Sequence, residues 1–183
     1  MVEKFNFNDL KKLKDFVALA IVDASDYQNT NLRLIKELTK EKVPGVYVTL
    51  NKPYQTLKKN FDKEKIDSRF VIFIDAVTKT AGGRMEKTKD CLFIGNPKHL
   101  SEISIAMDQA IMAIPQKNKF LLFDSLSTLV LYNDVNVVVR FVHFLSGKLR
   151  LWEAKGVIIS LRRKEDEELI NRLREFCDLV MEL

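Results

Sequence analysis

Five apolar runs of strand length recur along the chain: FVALAIV (Phe16 to Val22), VPGVYVTL (Val43 to Leu50), FVIFIDAV (Phe70 to Val77), KFLLFD (Lys119 to Asp124) and GVIISL (Gly156 to Leu161). Their apolar character is continuous rather than alternating, which is the pattern of strands covered on both faces in a parallel sheet. Between them lie segments with helical signals. NLRLIKELTKEK reads as a short helix, and Pro53 opens another at its first position, with Leu57 and Phe61 on one face. Ile103, Met107, Ala110, Ile111 and Ile114 mark a third helix. Val138, Phe141, Val142, Leu145, Leu149 and Trp152 draw one stripe down a longer fourth, which Gly156 is expected to close in the left-handed conformation. Glu165 to Glu168 place four acids at the start of a last helix, where the helix dipole favours them.

Strands alternating with helices require crossover connections, so the expected fold is α/β, a three-layer sandwich with a mainly parallel central sheet. CLFIGNP and DLVMEL add short strands, and TKTAGGRMEKTKD (Thr78 to Asp90) reads as an exposed loop. No repeat or linker divides residues 1–183, which read as a single domain.

Composition narrows the function classes. Of 183 residues, 46% are hydrophobic, enough for a sizeable core without disulfide or metal staples. Thirty Lys and Arg against 25 Asp and Glu give a net charge of +5, but the signs alternate, so nucleic acid is permitted and not indicated. Cys91 and Cys177 show neither CxxC spacing nor a neighbouring histidine, which argues against a zinc site and fits a reducing compartment. The Phe16 to Val22 run is too short to span a bilayer, and the acids in the segment before it are unlike a signal peptide. A cytoplasmic protein without membrane contact is expected.

KFLLFDSLSTLVLY (Lys119 to Tyr132) resembles the Walker B strand of KaiC-like members of the RecA superfamily, where an apolar strand ends in Asp-Ser. VPGVYVTLNKPYQTL resembles that family's second strand and its exit, and FCDLVMEL its closing strand. The likeness runs from about Phe16 onward and is of the archaeal type. It implies a RecA-like sheet, ATP with magnesium, and assembly into rings with nucleotide between subunits.

In that family the first strand runs into GxxGxGK[ST], whose backbone N–H groups surround phosphates while the lysine neutralises them. Here the corresponding residues are DASDYQNT. Asp23, Asp26 and Gln28 stand at the glycine positions, Asn29 at the lysine position, and Thr30 alone matches. Two carboxylates would face a polyphosphate, each close pair of like charges repelling by up to roughly 4 kcal/mol. What remains is a helix start that Asp26, Asn29 or Thr30 can cap.

A second departure is independent of the first. The resemblance places acidic residues just after the second strand, one of them orienting the attacking water. This chain has Asn51 and Lys52 there. Asp124, followed by Ser125, is then expected to be a relic, hydrogen-bonded at a strand end with no metal to hold.

Weaker constellations remain. Ser125 and Ser127 lack a GxSxG elbow, and neither His99 nor His143 can be placed beside them or beside Cys177 as a nucleophile's base. Lys58, Lys59, Lys63 and Lys65, with Lys79, Arg84, Lys87 and Lys89, read as solvated faces because acids interrupt both sets. Three functions stay open. The first is a non-catalytic module without catalytic residues, metal or cofactor, contacting itself, a related ATPase or a regulatory protein. The second is an ATPase whose phosphate site is rebuilt around Lys52 or a neighbouring subunit's arginine. The third is a DNA-associated accessory protein.

Overall fold

The computed structural model describes residues 14–183; the segment read above as unlike a signal peptide lies largely outside the described residues. Seven strands form one sheet in which every pairing is parallel. They are β1 (Phe16–Val22), β2 (Gly45–Thr49), β3 (Val71–Asp75), β4 (Cys91–Phe93), β5 (Phe120–Asp124), β6 (Lys155–Leu161) and β7 (Leu179–Glu182). Their spatial order is β4-β3-β2-β5-β6-β1-β7. The continuous apolar runs became strands because helices cover both faces.

Among the described residues six α-helices supply the covering: α1 (Tyr27–Leu38), α2 (Tyr54–Lys63), α3 (Leu100–Met112), α4 (Leu126–Leu129), α5 (Val135–Leu151) and α6 (Glu167–Leu173). Alternate residues of each strand divide between two cores. Ala18, Ala20, Tyr47, Phe73 and Leu122 pack with Leu34 and Leu38 of α1 and Leu57 and Phe61 of α2. Val17, Leu19, Val48, Ile74 and Phe123 pack with α3, α5 and α6 on the opposite side. The three-layer α/β expectation therefore holds, with a sheet that is parallel throughout.

Three local expectations need correction. The first helix begins at Tyr27 rather than Asn31, and Pro53 stands one residue before α2, in the cap position. Gly156 does not close α5. That helix ends at Leu151, and Glu153 takes the left-handed conformation with φ 51°, the Ala154 N–H returning to the Leu149 carbonyl. Gly156 lies inside β6, where a Cβ would sit 2.4 Å from Leu149 Cδ1. The glycine is there for close approach of α5 to the sheet, not for its φ.

Candidate functional site

Strand ends carry the polar residues. Thr49, Asp75 and Asp124 end β2, β3 and β5 in one register, Thr49 pairing with each aspartate. All three are buried. The two aspartates are held by different means. Asp75 is bound mostly by backbone: the amides of Tyr54, Val77 and Thr78 donate to its carboxylate at 2.7, 2.7 and 2.8 Å, with the Thr78 hydroxyl adding a fourth bond at 2.6 Å. It fastens the starts of α2 and the following loop to the sheet.

Asp124 is bound entirely by side chains. Tyr27 donates its hydroxyl to Oδ1, and Asn51 Nδ2 reaches the same oxygen at 3.1 Å. Oδ2 accepts from Asn31 Nδ2 at 2.9 Å and from the Tyr47 hydroxyl at 2.8 Å. An ionised carboxylate has about four lone-pair sites, so four donors leave it none to spare. Burial raises its carboxyl above the usual range, while the bonds from Tyr27, Tyr47, Asn31 and Asn51 pull the other way. Burial and the Asp124 charge likewise raise the Tyr27 and Tyr47 phenols, which stay protonated as donors.

Each donor has a structural reason to be there. Tyr27 and Asn31 stand four residues apart on α1 and so share a face. Tyr47 lies on β2 with its ring 6.1 Å from both Phe61 and Phe73, leaving only the hydroxyl to turn toward Asp124. Asn51 follows β2 and is itself fixed: Thr128 donates to its Oδ1, while its Nδ2 also meets the Tyr27 oxygen at 2.6 Å and Ser125 Oγ at 3.2 Å. A space of about 10 Å³ remains among Gln28, Asn31, Tyr47, Lys52 and Asp124, no more than about one water. Asn31 Oδ1 beside it is buried without a partner.

The sequence reading singled out Asp124, Ser125 and Asn51, and the fold does bring them together. It misses Tyr27, Asn31 and Tyr47, which stand in the phosphate-loop-like segment, the first helix and the second strand. The segment from Asp23 to Thr30 is a turn running into α1. Asp23 is paired with Arg162 Nε at 2.9 Å. Asp26 occupies the helix cap position, but its side chain binds no backbone N–H; it accepts from Asn29 Nδ2 at 3.0 Å and Thr30 Oγ1 at 2.9 Å. Those two bonds, Asn29 first, lower its carboxyl. The expected capping is thus replaced by a side-chain cluster. Gln28 Oε1 accepts from Lys52 Nζ at 3.0 Å.

The remaining candidates separate. Ser127 bonds the buried Asp166 at 2.8 Å and receives the Leu161 amide, which ties α4 to β6. His99 pairs with Glu102, and His143 packs 4.8 Å from the Phe176 ring. Burial pushes the Cys177 thiol up to about 11, the reverse of what an activated nucleophile needs. Lys58 is half-buried and bound to Asp90 and Ser68, so it is no free phosphate ligand. Among the described residues no three His, Cys, Asp or Glu side chains gather to hold a metal, and no helix is long and apolar enough to cross a membrane.

The seven-stranded parallel α/β sheet matches two solved structures from Pyrococcus horikoshii, which places the fold as RecA/KaiC-like. The KaiC-like protein PH0186 matches with a TM-score of 0.64 at 14% identity, over 92% of this chain and 71% of that one. The protein PH0250 matches with a TM-score of 0.65 at 16% identity, over 97% and 87%. The chain belongs to the family of unknown function DUF7504, whose model matches residues 22–183. No curated protein matches it.

Proposed function

We propose that this chain is a non-catalytic RecA/KaiC-like module whose nucleotide site is closed by its own side chains and which works through contacts with other proteins. The observation that carries the reading is the saturation of Asp124 by Tyr27, Asn31, Tyr47 and Asn51. A magnesium ion needs oxygen ligands in near-octahedral array. Here it would have to displace donors from a buried carboxylate, with about 10 Å³ of space beside it. The phosphates fare no better, with Asp23 and Asp26 at glycine positions and Asn29 in place of the lysine. ATP and magnesium do not fit these residues.

A platform of this kind leaves its outer helices for partners, either a related ATPase or a second copy. Ile105 and Met112 on α3, and Phe144 and Leu151 on α5, are exposed apolar side chains on neighbouring helices joined by the Lys148–Asp108 ion pair. A second reading draws on one contact. Lys52 Nζ reaches Gln28, so a cation does stand at a phosphate-loop position, as a rebuilt ATP site would require.

Calorimetric titration with ATP and magnesium decides between them, with light scattering recording the oligomeric state. The module reading expects no heat dependent on Asp124 or Lys52. Micromolar binding abolished by both Asp124→Ala and Lys52→Ala would instead establish the rebuilt site.

A further inference from the structure

A second cleft opens at the carboxyl ends of β1, β6 and β7, apart from Asp124 and sharing none of the residues around it. Its volume is about 350 Å³, within the range that holds small molecules. Ile21 and Ile170 give it an apolar floor, and its polar walls are Arg162, Arg163, Lys164 and Arg174 against Glu167 and Glu182. Four cations thus meet two carboxylates.

The pairing inside the cleft is uneven. Glu182 accepts from both Arg162 at 3.3 Å and Arg174 at 3.2 Å, and the Arg174 and Arg162 bonds hold its carboxyl below the usual range. Arg162 turns its Nε to Asp23. The side chains of Arg163, half-buried, and Lys164, exposed, make no hydrogen bond or ion pair among the described residues. A guanidinium partly withdrawn from water beside other cations is stabilised by an anion that can take its fork of donors, which is the geometry of phosphate.

We propose that this cleft binds a small phosphorylated molecule, with Arg163 and Lys164 as its principal ligands and Arg162 and Arg174 completing the charge. The volume favours a compact ligand over an acidic protein segment. Open α/β sheets take ligands at the carboxyl ends of their strands, and this cleft lies at such an end. The site does not depend on whether Asp124 ever meets a nucleotide.

The test is calorimetric titration of the full chain with inorganic pyrophosphate at low salt, with amide chemical shifts followed by NMR. Saturation at one site is expected, with shifts concentrated in residues 161–174 and at Glu182. Affinity should fall about tenfold or more in Arg163→Gln and further when Lys164→Gln is added. Neither side chain holds a bond, so both variants should fold, as circular dichroism would verify. Asp124→Ala should leave pyrophosphate binding intact, which separates this site from the one discussed above. ADP and ribose 5-phosphate, titrated in turn, distinguish a nucleotide from a sugar phosphate. Unsaturable heats, or equal affinity in wild type and Arg163→Gln, would overturn the proposal. So would tight binding of a hexaglutamate peptide with none of pyrophosphate, which would assign the cleft to a protein partner.

Discussion

The phenol of Tyr27 donates to Oδ1 of Asp124 across 97 residues of sequence, joining the first turn of α1 to the end of β5. Three other donors complete the set, and all four come from the first third of the chain. Asp124 thereby ties α1, β2 and the segment after β2 to the end of β5.

Replacing it exposes that role. Asp124→Ala leaves two phenols and two amides without their acceptor in a buried site, at a cost of about 2–4 kcal/mol. Urea unfolding should show a lower midpoint with unchanged slope. An aspartate kept for metal binding would behave differently, since removing a strained charge from an empty metal site leaves stability equal or higher.

The pH profile of stability carries the same signature. Burial raises the Asp124 carboxyl in the folded state above its unfolded value. Between those two values the folded protein holds a proton that the unfolded chain has released, so stability falls as pH rises through the window and levels off above it. Asp124→Asn removes this component. Unfolding free energies of the two proteins, measured from pH 4 upward, should diverge in slope across that window, and parallel curves would contradict the burial-raised carboxyl.

Glycine placement gives a prediction with opposite signs. Gly156→Ala puts a methyl group against Leu149 and should cost about 1–3 kcal/mol by overpacking. Gly147 sits within α5 with nothing near its missing side chain, so Gly147→Ala should gain roughly 0.5–1 kcal/mol. Glu153→Gly, at the left-handed end of that helix, should also gain about 1 kcal/mol. Thermal melts of the three variants check the pattern.

Cysteine chemistry should be slow. With the Cys177 thiol near 11, its thiolate fraction at pH 8 is roughly a hundredfold below that of free cysteine. Alkylation by iodoacetamide, followed by mass spectrometry of the native protein, should lag a cysteine peptide by about that factor. Labelling as fast as the peptide would reopen Cys177 as a nucleophile.

What the sequence revealed and what it hid follow from the range of the interactions. Strands such as β1 and β6 were legible because apolar runs covered on both faces need no knowledge of their neighbours. The end of α5 was not, because glycine is only the commonest left-handed residue and Glu153 took the position instead. The site was half legible. Asp124 stands out as an aspartate closing an apolar strand and Asn51 through the resemblance, whereas nothing local distinguishes Tyr47 from the other residues of its strand. Its hydroxyl acquires meaning only when parallel pairing sets β2 beside β5, which no local pattern encodes.

The strand order also has a temporal side. β1 is flanked by β6 and β7, so this strand finds its neighbours only when residues 155–182 exist. At ordinary translation speeds of about 5–20 residues per second, that interval is on the order of ten seconds. Throughout it FVALAIV has two unpaired edges. A nascent chain of this design is exposed to misassociation at β1, and anything that shields that strand during synthesis would raise the yield of the folded protein.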